Sequence, residues 1–210
     1  LRRVKALSDI ISSKDVLDFG CGEGGFLDNA KELSKSVCGI ELDRHERETL
    51  VNEEGYTVWE SFEQCNKKFD VITIFHVIEH LEYPIQILEQ CRSHLNKNGK
   101  IIIETPNADD ALLSLYQSKE FADFTYWSAH IYLYNEKNLL KLIKKADYKV
   151  SWCKQIQRYP LSNHLFWLSE GRPGGQAVYN ILNDKVLNEQ YSKILSENKL
   201  CDTLMVCLEV

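Results

Sequence analysis

A run of glycines within VLDFGCGEGG, residues 16–25, is the part of this sequence whose residue types most directly suggest chemistry. The run fits two patterns, and both place a ligand between a strand and a helix. Gly20, Gly22 and Gly25 match the G-x-G-x-x-G spacing of folds that bind a dinucleotide through its pyrophosphate. The second pattern, D-x-G-x-G-x-G, begins at Asp18. Both need glycine, because the backbone must turn tightly and approach a ligand closely.

Two carboxylates favour the second pattern. Asp18 precedes the first glycine by two residues and Glu23 lies within the loop, so both would lie beside a bound pyrophosphate. The repulsion would be about 1 kcal/mol or more for each pair, depending on the local dielectric. A methionine moiety that carries an ammonium and a sulfonium would instead be attracted by Asp18. The charges therefore indicate a cationic ligand.

A third carboxylate, Glu41 in GIELD, lies at the predicted end of the second strand. A carboxylate there accepts hydrogen bonds from both hydroxyls of a ribose, in nicotinamide and in S-adenosylmethionine (SAM) folds alike, so it indicates an adenosine without identifying the ligand. Asp43 is better placed to cap the next helix. Leu42 would pack on the adenine, with Ser61 and Phe62 near its edge, although WESFEQ could equally be an ordinary turn.

Apolar runs alternate with helical patterns along the chain, which predicts a parallel sheet with helices on both faces. Strands are predicted at DVLDFG, SVCGIEL, YTVWE, FDVITIF, IIIET, YKVSWCKQI and CDTLMVCLEV. Helices are predicted at GGFLDNAKELS, RHERETLVNEE and YPIQILEQCRSHL, and from Glu136 to Ala146 after an Asn135 cap. Residues 158–200 form an insertion between the sixth and seventh strands, in which QAVYNILNDKVLNEQYSKIL is predicted to be helical.

Length, composition, net charge and cysteine count narrow the class of protein. With 210 residues and 44% hydrophobic content, the chain is predicted to be a single domain, residues 1–210. A formal net charge of -6 argues against a nucleic-acid partner, and no apolar run approaches the roughly 20 residues of a membrane span. Seven cysteines without a C-x-x-C pair are typical of reduced thiols in a cytoplasmic protein. Because the chain begins at Leu1 rather than Met, we expect an N-terminal segment to precede it.

Four segments together resemble the class I SAM-dependent methyltransferases: VLDFGCGEGGFL, GIELD, FDVITIFHVIEHL and GKIIIETPN. The resemblance is strongest to the group of ubiquinone-biosynthesis-type and polysaccharide-cluster enzymes. It implies a Rossmann-like α/β three-layer sandwich with a seven-stranded, mostly parallel sheet in the order 3-2-1-4-5-7-6, whose last strand is antiparallel. It also implies SAM as cofactor over the carboxyl ends of the first two strands, and S-adenosylhomocysteine as product.

The resemblance and the carboxylate arguments together give a set of expected cofactor contacts. These residues are Asp18, Gly20, Cys21, Gly22, Glu41, Leu42, Ser61, Phe62, Phe75 and His76. The last two follow from the family, in which the end of the fourth strand lines the methyl-donor site.

Three histidines near the same predicted edge are candidate catalytic residues. His76 and His80 follow the fourth strand, and His130 follows the fifth in YWSAHIYLY. A hydroxyl acceptor must lose a proton, and imidazole has a suitable pKa for that task. Other roles stay open, because His130 could be a hydrogen-bonded member of an aromatic cluster and His80 could fix the loop.

Glu79 and His80 are also residue types that bind divalent metals, and some ubiquinone-type relatives suggest such a site. Two adjacent residues are too few to define one, so the sequence predicts no metal.

Aromatic residues are dense before the Asn135 helix: Phe121, Phe124, Tyr126, Trp127, Tyr132 and Tyr134. Such a stretch usually packs a core, but it could also form an acceptor platform, since aromatic faces stack on sugar rings and flat molecules. The insertion adds Tyr159, His164, Trp167 and Arg172 near the same edge. We expect the insertion to be part of the active site, a dimerisation element that would make a homodimer, or a simple cover.

These features predict an enzyme that transfers a methyl group from SAM to a small molecule, with oxygen as the expected acceptor atom. A saccharide, or its nucleotide- or lipid-linked precursor, is the expected acceptor, because NHLFWLSEGRPGG resembles enzymes of surface-polysaccharide clusters. Two alternatives stay open. One is an NAD(P)-dependent oxidoreductase or epimerase, and the other is a non-catalytic SAM-fold module whose insertion binds a protein partner.

Overall fold

A single sheet of seven strands forms the centre of the computed structural model, which describes residues 1–126 and 129–210. The strands are β1 (Asp15–Phe19), β2 (Ser36–Ile40), β3 (Thr57–Trp59), β4 (Phe69–Phe75), β5 (Leu95–Pro106), β6 (Lys149–Ile156) and β7 (Thr203–Glu209). They lie in the order β3-β2-β1-β4-β5-β7-β6. Strands β1 to β5 pair in parallel, and β7 is antiparallel to both of its neighbours. The predicted fold class is therefore confirmed, including the order of the strands.

Helices cover both faces of this sheet. They are α1 (Arg2–Ile11), α2 (Gly25–Ala30), α3 (Arg44–Asn52), α4 (Pro84–Ser93), α5 (Ala111–Ser114), α6 (Lys119–Thr125), α7 (Glu136–Lys145), α8 (Leu161–Glu170), α9 (Gly175–Val178) and α10 (Lys185–Glu197). Short 3-10 turns lie at Phe62–Gln64, Ile78–His80 and Asn180–Leu182. Across the described residues, no helix is long and apolar enough to cross a membrane.

Successive residues of the central strands pack on opposite faces, as the pleat of a strand requires. On one face, Leu17 and Ile72 pack in a core with Leu88 of α4 and Leu139 of α7. On the other face, Val16, Val71 and Ile102 pack in a core with Val4 and Leu7 of α1 and Phe26 of α2. Burial on both sides explains why the strands are almost continuously apolar in the sequence.

The structure differs from the sequence prediction at two helical segments. The insertion is not one continuous helix, because α9 and a 3-10 turn precede α10, and the side chain of Asp184 caps α10 by accepting a hydrogen bond from Leu187 N at 2.8 Å. Helix α1 was not predicted at all. Its buried residues Val4, Leu7 and Ile11 close the face formed by Val16 and its neighbours.

Glu104, near the carboxyl end of β5, ties α1 to the sheet. Its side chain is fully buried, and Arg2 Nη2 lies 2.7 Å from both carboxylate oxygens. Arg3 Nε donates to the same carboxylate at 2.9 Å. Burial alone would raise the pKa of Glu104, but hydrogen bonds from His76 and Arg2 and the charges of both arginines hold it at about 2. The start of α1 therefore lies over the carboxyl edge of the sheet.

We predict that Glu104→Gln lowers the free energy of unfolding by about 1 to 3 kcal/mol at pH 7 in urea denaturation, because it removes charge-assisted bonds to two arginines that can turn to solvent. Since its folded pKa of about 2 lies below the ordinary value of 4.5, this contribution is present above pH 4.5 and disappears as the pH falls towards 2. Glu209→Gln, which removes an exposed pair to Lys100, is the control and should cost much less. Equal losses for both variants would contradict the role given to Glu104.

Candidate active site

The loop between β1 and α2 shows which glycine pattern the chain uses. Gly20, Gly22 and Gly24 have φ angles of +74°, +51° and +78°, a region that favours glycine. Gly25 has no positive φ and begins α2. The three left-handed positions are those of the D-x-G-x-G-x-G spacing that starts at Asp18. The backbone therefore matches the second of the two patterns.

Glu41 follows β2 and holds this loop from the side. Its Oε2 accepts a hydrogen bond from Gly22 N at 2.8 Å, and its Oε1 accepts one from Asp43 N at 2.8 Å. Each carboxylate oxygen can accept a second bond. Asp43 caps α3, as predicted, by accepting from the main chain of His45 and Glu46. Glu41 is thus left with acceptor capacity beside the glycine loop.

The residues expected around an adenine divide into two groups. Leu42 is 77% exposed next to Glu41, and Ser61 is half-buried just before the turn that begins at Phe62. Phe62 itself is buried and stacks on Phe19, with ring centroids 5.2 Å apart and planes inclined by 8°. Its side chain therefore packs in the core.

Cys21, an expected cofactor contact in the glycine loop, is also buried. Burial raises the pKa of its thiol, and the charge of Asp18 raises it further.

Asp18 lies inside the sheet, one residue before the carboxyl end of β1. Its side chain is buried, and Oδ1 accepts a hydrogen bond from Thr73 Oγ1 at 2.6 Å. Burial raises the pKa of Asp18 to about 7, against the opposing effects of the Thr73 hydrogen bond and the charge of Arg3. At neutral pH the carboxyl is therefore only partly ionised. A cation bound nearby would favour the ionised form of Asp18.

Phe75 and Arg3 extend the same edge. Phe75 is buried against Phe26, with ring centroids 4.9 Å apart in an edge-on arrangement. The Arg3 guanidinium lies 4.5 Å from the centroid of the Phe75 ring. Arg2 and Arg3 therefore bring positive charge to the ends of β4 and β5. Sequence reasoning missed both, since nothing in the pattern of α1 distinguishes these arginines from surface ones.

His76, the first residue after β4, lies among charged groups. Its Nδ1 lies 3.3 Å from Glu79 Oε1, and its Nε2 lies 3.3 Å from Glu104 Oε1 and 3.0 Å from Arg158 Nη1. Burial lowers the pKa of His76, but the two carboxylates outweigh it and raise the pKa above the ordinary value of 6.5. The neutral ring can accept from Arg158, whereas the protonated ring is attracted by the carboxylates.

A cavity of about 320 Å³ begins at His76 and extends under the insertion. Its polar lining comes from His76, Asn107, Asp110, Arg158 and Asp202, and also includes His130. Its apolar walls include Leu112, Leu113, Phe121, Phe124 and Trp167. The Trp167 ring centroid lies 5.1 Å from that of Phe121 and 5.3 Å from that of Phe124. We call these three rings the aromatic wall.

The insertion contributes directly to this cavity. Tyr159, His164 and Trp167 line it, whereas Arg172 packs over Phe166, with its guanidinium 5.3 Å from the ring centroid. Burial lowers the pKa of His164 to about 4, so this ring is neutral at pH 7. Trp127, which was predicted as part of the aromatic cluster, lies outside the described residues.

Arg158 and Asp202 form the polar base of the cavity, and no sequence pattern predicted a role for either of them. Asp202 Oδ1 accepts from Arg158 Nε at 3.0 Å, and its Oδ2 accepts from the main chain of Arg158 and Tyr159 at 2.7 and 3.1 Å. One signal could have found this pair. Arg158 follows the end of β6, and Asp202 precedes β7, which runs antiparallel, so both lie at the edge where β4 and β5 end.

The three candidate histidines do not share one position. His76 and His130 both line the cavity, whereas His80 does not. The His80 ring lies beside His130, with ring centroids 4.9 Å apart. The structure therefore brings two of the three to the cavity, and His76 also lies beside the ends of β4 and β5.

Comparison with known proteins agrees with this geometry. Residues 1–151 match a family described as a methyltransferase domain. A ubiquinone biosynthesis O-methyltransferase of Paraburkholderia phytofirmans is 27% identical over 173 residues, which cover 76% of this chain and 74% of that protein. The mitochondrial enzyme of the same description from Candida albicans is 32% identical over 123 residues, which cover 52% of this chain and 37% of that protein. This chain therefore matches little more than a third of the length of the Candida protein.

Solved structures share the fold. A SAM-dependent methyltransferase from Archaeoglobus fulgidus superposes with a TM-score of 0.66 at 18% identity, covering all of this chain and 92% of the other. The chain belongs to the methyltransferase domain family, as a class I SAM-dependent methyltransferase with SAM as its cofactor. This confirms the resemblance to the class I SAM-dependent methyltransferases and decides the two interpretations of the glycine run in favour of SAM.

We predict that SAM binding tightens several-fold between pH 6 and pH 7.5, because a carboxyl with a pKa of about 7 becomes largely ionised over that range and an ionised Asp18 attracts the cationic ligand. Calorimetric titration at the two pH values measures the change. Asp18→Asn removes the ionisable group and is expected to lose this part of the pH dependence. If the variant keeps the same slope, Asp18 does not face the cofactor's positive charge.

Proposed function

We propose that this protein transfers a methyl group from SAM to a hydroxyl oxygen of a small molecule bound in the cavity. The observation that carries the proposal is the position of His76, which contacts Glu104 on the side of α1 and lines the cavity on the other side. SAM, when bound, supplies an already activated methyl group. The chain then has to orient both ligands, exclude water and accept a proton.

The residues around the glycine loop fit the cofactor. Gly22 and Glu41 offer a close backbone approach and carboxylate acceptors for a ribose, and Leu42 offers an exposed apolar side chain for an adenine. The ammonium of the methionine moiety fits the buried carboxyl of Asp18. The carboxylate of the methionine moiety needs a cation nearby. Arg3, whose side chain is 30% exposed, is the candidate at this edge of the sheet. We propose these contacts because the charges and positions of the residues suit the corresponding parts of SAM.

His76 is the proposed base for the acceptor hydroxyl. Its raised pKa means that the ring must first lose a proton, so methyl transfer should increase as the pH rises through a value above 6.5. Arg158 Nη1 lies 3.0 Å from Nε2, the nitrogen that would take the proton, so the acceptor hydroxyl has to replace Arg158 at this position. His130, also at the cavity, is the second candidate for this role, and His80 is placed only to act on His130.

The cavity supports a hydroxyl-bearing ring compound as the acceptor. The aromatic wall offers faces that stack on a planar ring or on the apolar face of a sugar. A saccharide, or its nucleotide- or lipid-linked precursor, is therefore one proposed acceptor, and an aromatic alcohol is the other. A labelled-methyl assay over panels of both kinds separates them. Transfer to neither panel, with SAM still bound, would favour a binding module over an enzyme of this acceptor class.

The seven cysteines are free, and none forms a disulfide in the described part of the chain. This supports the cytoplasm as the proposed compartment.

A homodimer through the insertion is also proposed, since Val178, Ile181 and Val186 are 58%, 87% and 64% exposed there. Sedimentation velocity tests the oligomeric state.

We predict that His76→Asn lowers kcat by about 10² to 10⁴ while SAM affinity changes less than about threefold, because a positioned base contributes that much to proton transfer. Asparagine tolerates the left-handed backbone that His76 adopts at φ +57°, so the fold should persist. The acid limb of the pH profile should disappear in the variant. The exposed His45→Asn is the matched control, and similar losses in the two variants would remove His76 from the reaction.

We predict that Glu41→Ala weakens SAM binding by about 1 to 3 kcal/mol in calorimetric titration, through the loss of charge-assisted ribose contacts and of the acceptor that holds Gly22 N. Glu48→Ala, on the exposed face of α3, should leave the affinity unchanged. An unaltered affinity in the Glu41 variant would mean that the adenosine lies elsewhere.

A further inference from the structure

We propose that Asp110 binds a second hydroxyl of the acceptor, on a part of the molecule away from the hydroxyl that is methylated. Asp110 would then select ring compounds that carry at least two hydroxyls, which a saccharide supplies and an aromatic alcohol with one hydroxyl does not. The inference rests on the proposed function, because it takes the cavity as the acceptor site.

The carboxylate of Asp110 has one oxygen that is free to bind a ligand. The residue lines the cavity and is only 3% exposed. Its Oδ1 accepts a hydrogen bond from Leu112 N at 2.7 Å, which caps α5. Within the described residues, its Oδ2 accepts no hydrogen bond and the carboxylate forms no ion pair. A carboxylate oxygen without a partner this deep in a protein is costly, and a donor on a ligand would compensate it.

Asp202, the other carboxylate that lines the cavity, has no such capacity left. Its Oδ1 accepts from Arg158 Nε at 3.0 Å and from Thr203 Oγ1 at 2.6 Å. Its Oδ2 accepts from Arg158 N at 2.7 Å and from Tyr159 N at 3.1 Å. Two bonds at each oxygen use the positions at which a carboxylate accepts. A ligand therefore finds its free carboxylate oxygen at Asp110.

The protonation of Asp110 favours a hydroxyl over an amine as the partner. Burial raises the pKa of Asp110 to about 7, helped by the charge of Asp202 and opposed by the Leu112 hydrogen bond and the charge of Arg158. Both forms of the carboxyl are thus present at neutral pH. A hydroxyl donates to the ionised form and accepts from the protonated form, whereas an ammonium only donates. A hydroxyl therefore pairs with Asp110 in either form.

The sheet places Asp110 away from His76. Ala111 N donates to Leu200 O at 2.9 Å, so the segment that carries Asp110 lies against the chain that leads into β7. His76 follows β4, and β5 lies between β4 and β7. Neighbouring strands are about 4.8 Å apart, so the ends of β4 and β7 are about 10 Å apart. The hydroxyl at His76 and the hydroxyl at Asp110 therefore belong to different parts of the acceptor.

The test compares three probes of one shape: 4-ethylphenol, 4-hydroxybenzyl alcohol and 4-hydroxybenzylamine. Each has a flat ring for the aromatic wall and a phenolic hydroxyl, and their other ends are a methyl, a hydroxyl and an ammonium group. Ligand-observed NMR titration of the intact chain with S-adenosylhomocysteine gives the dissociation constants at pH 7. We expect the alcohol to bind at least about fivefold more tightly than the ethyl compound, and the amine to bind no more tightly than the alcohol.

Two substitutions assign the preference to Asp110. Asp110→Ser keeps an oxygen that can cap α5 but removes the free carboxylate oxygen, so the variant should bind the alcohol and the ethyl compound equally. Asp110→Asn keeps the cap and the shape but replaces an acceptor by a donor, and should weaken the preference at least about threefold. Asp109→Ser is the matched control, because Asp109 is not part of the cavity lining, and should keep the preference. Circular dichroism of each variant shows whether it is folded.

Equal binding of the alcohol and the ethyl compound would overturn the inference, as would no measurable binding of the alcohol or a preference that both Asp110 variants retain. Tighter binding of the amine than of the alcohol would overturn the assignment to a hydroxyl. Methyl transfer whose kcat/KM is unchanged in Asp110→Ser would count against the inference and leave the proposed function standing. The expected binding without transfer to any acceptor would count against the proposed function alone.

Discussion

The burial of a carboxylate at the end of β5 is the constraint on which the site depends. Glu104 is fully enclosed, and an unpaired charge there would be strongly unfavourable, so positive groups must gather around it. Arg2 and Arg3 come from the start of the chain and His76 comes from the end of β4. One charge therefore fixes the position of α1 and the orientation of His76, where the proposed cofactor side of the fold meets the proposed acceptor cavity.

Charge also distinguishes the glycine loop from the cavity, so the two suit different ligands. Asp18 and Glu41 lie beside the glycine loop and suit a ligand with positive charge. At the cavity, the charge of Arg158 is balanced by Asp202, and the aromatic wall leaves most of the remaining surface apolar. A neutral ring compound is therefore better suited to the cavity than to the loop. His76 contacts both a carboxylate and Arg158, so its protonation state links the two sides.

The sequence predicted the elements that depend on local signals. The strand order followed from the family resemblance, and the Asp43 cap and the glycine pattern followed from residue types at fixed spacing. Contacts between distant segments left no such signal. Arg3 meets Glu104 across 101 positions, and His130 meets His80 only because main-chain bonds fold its segment back. Phe62 lies in the core because Phe19 provides a stacking partner, which no spacing rule could indicate.

The position of β7 has a consequence for how the chain folds during synthesis. Strand β6 pairs with β7 and with no other strand of the described chain. The ribosome synthesises β6 first, then the whole insertion, and only then β7. While the ribosome extends the insertion, β6 has no neighbour to complete its hydrogen bonds, and the free edge of β5 stays open to other chains. Only when residues 203–209 emerge do both edges close, so the nascent protein passes through a state in which association with a chaperone would protect it.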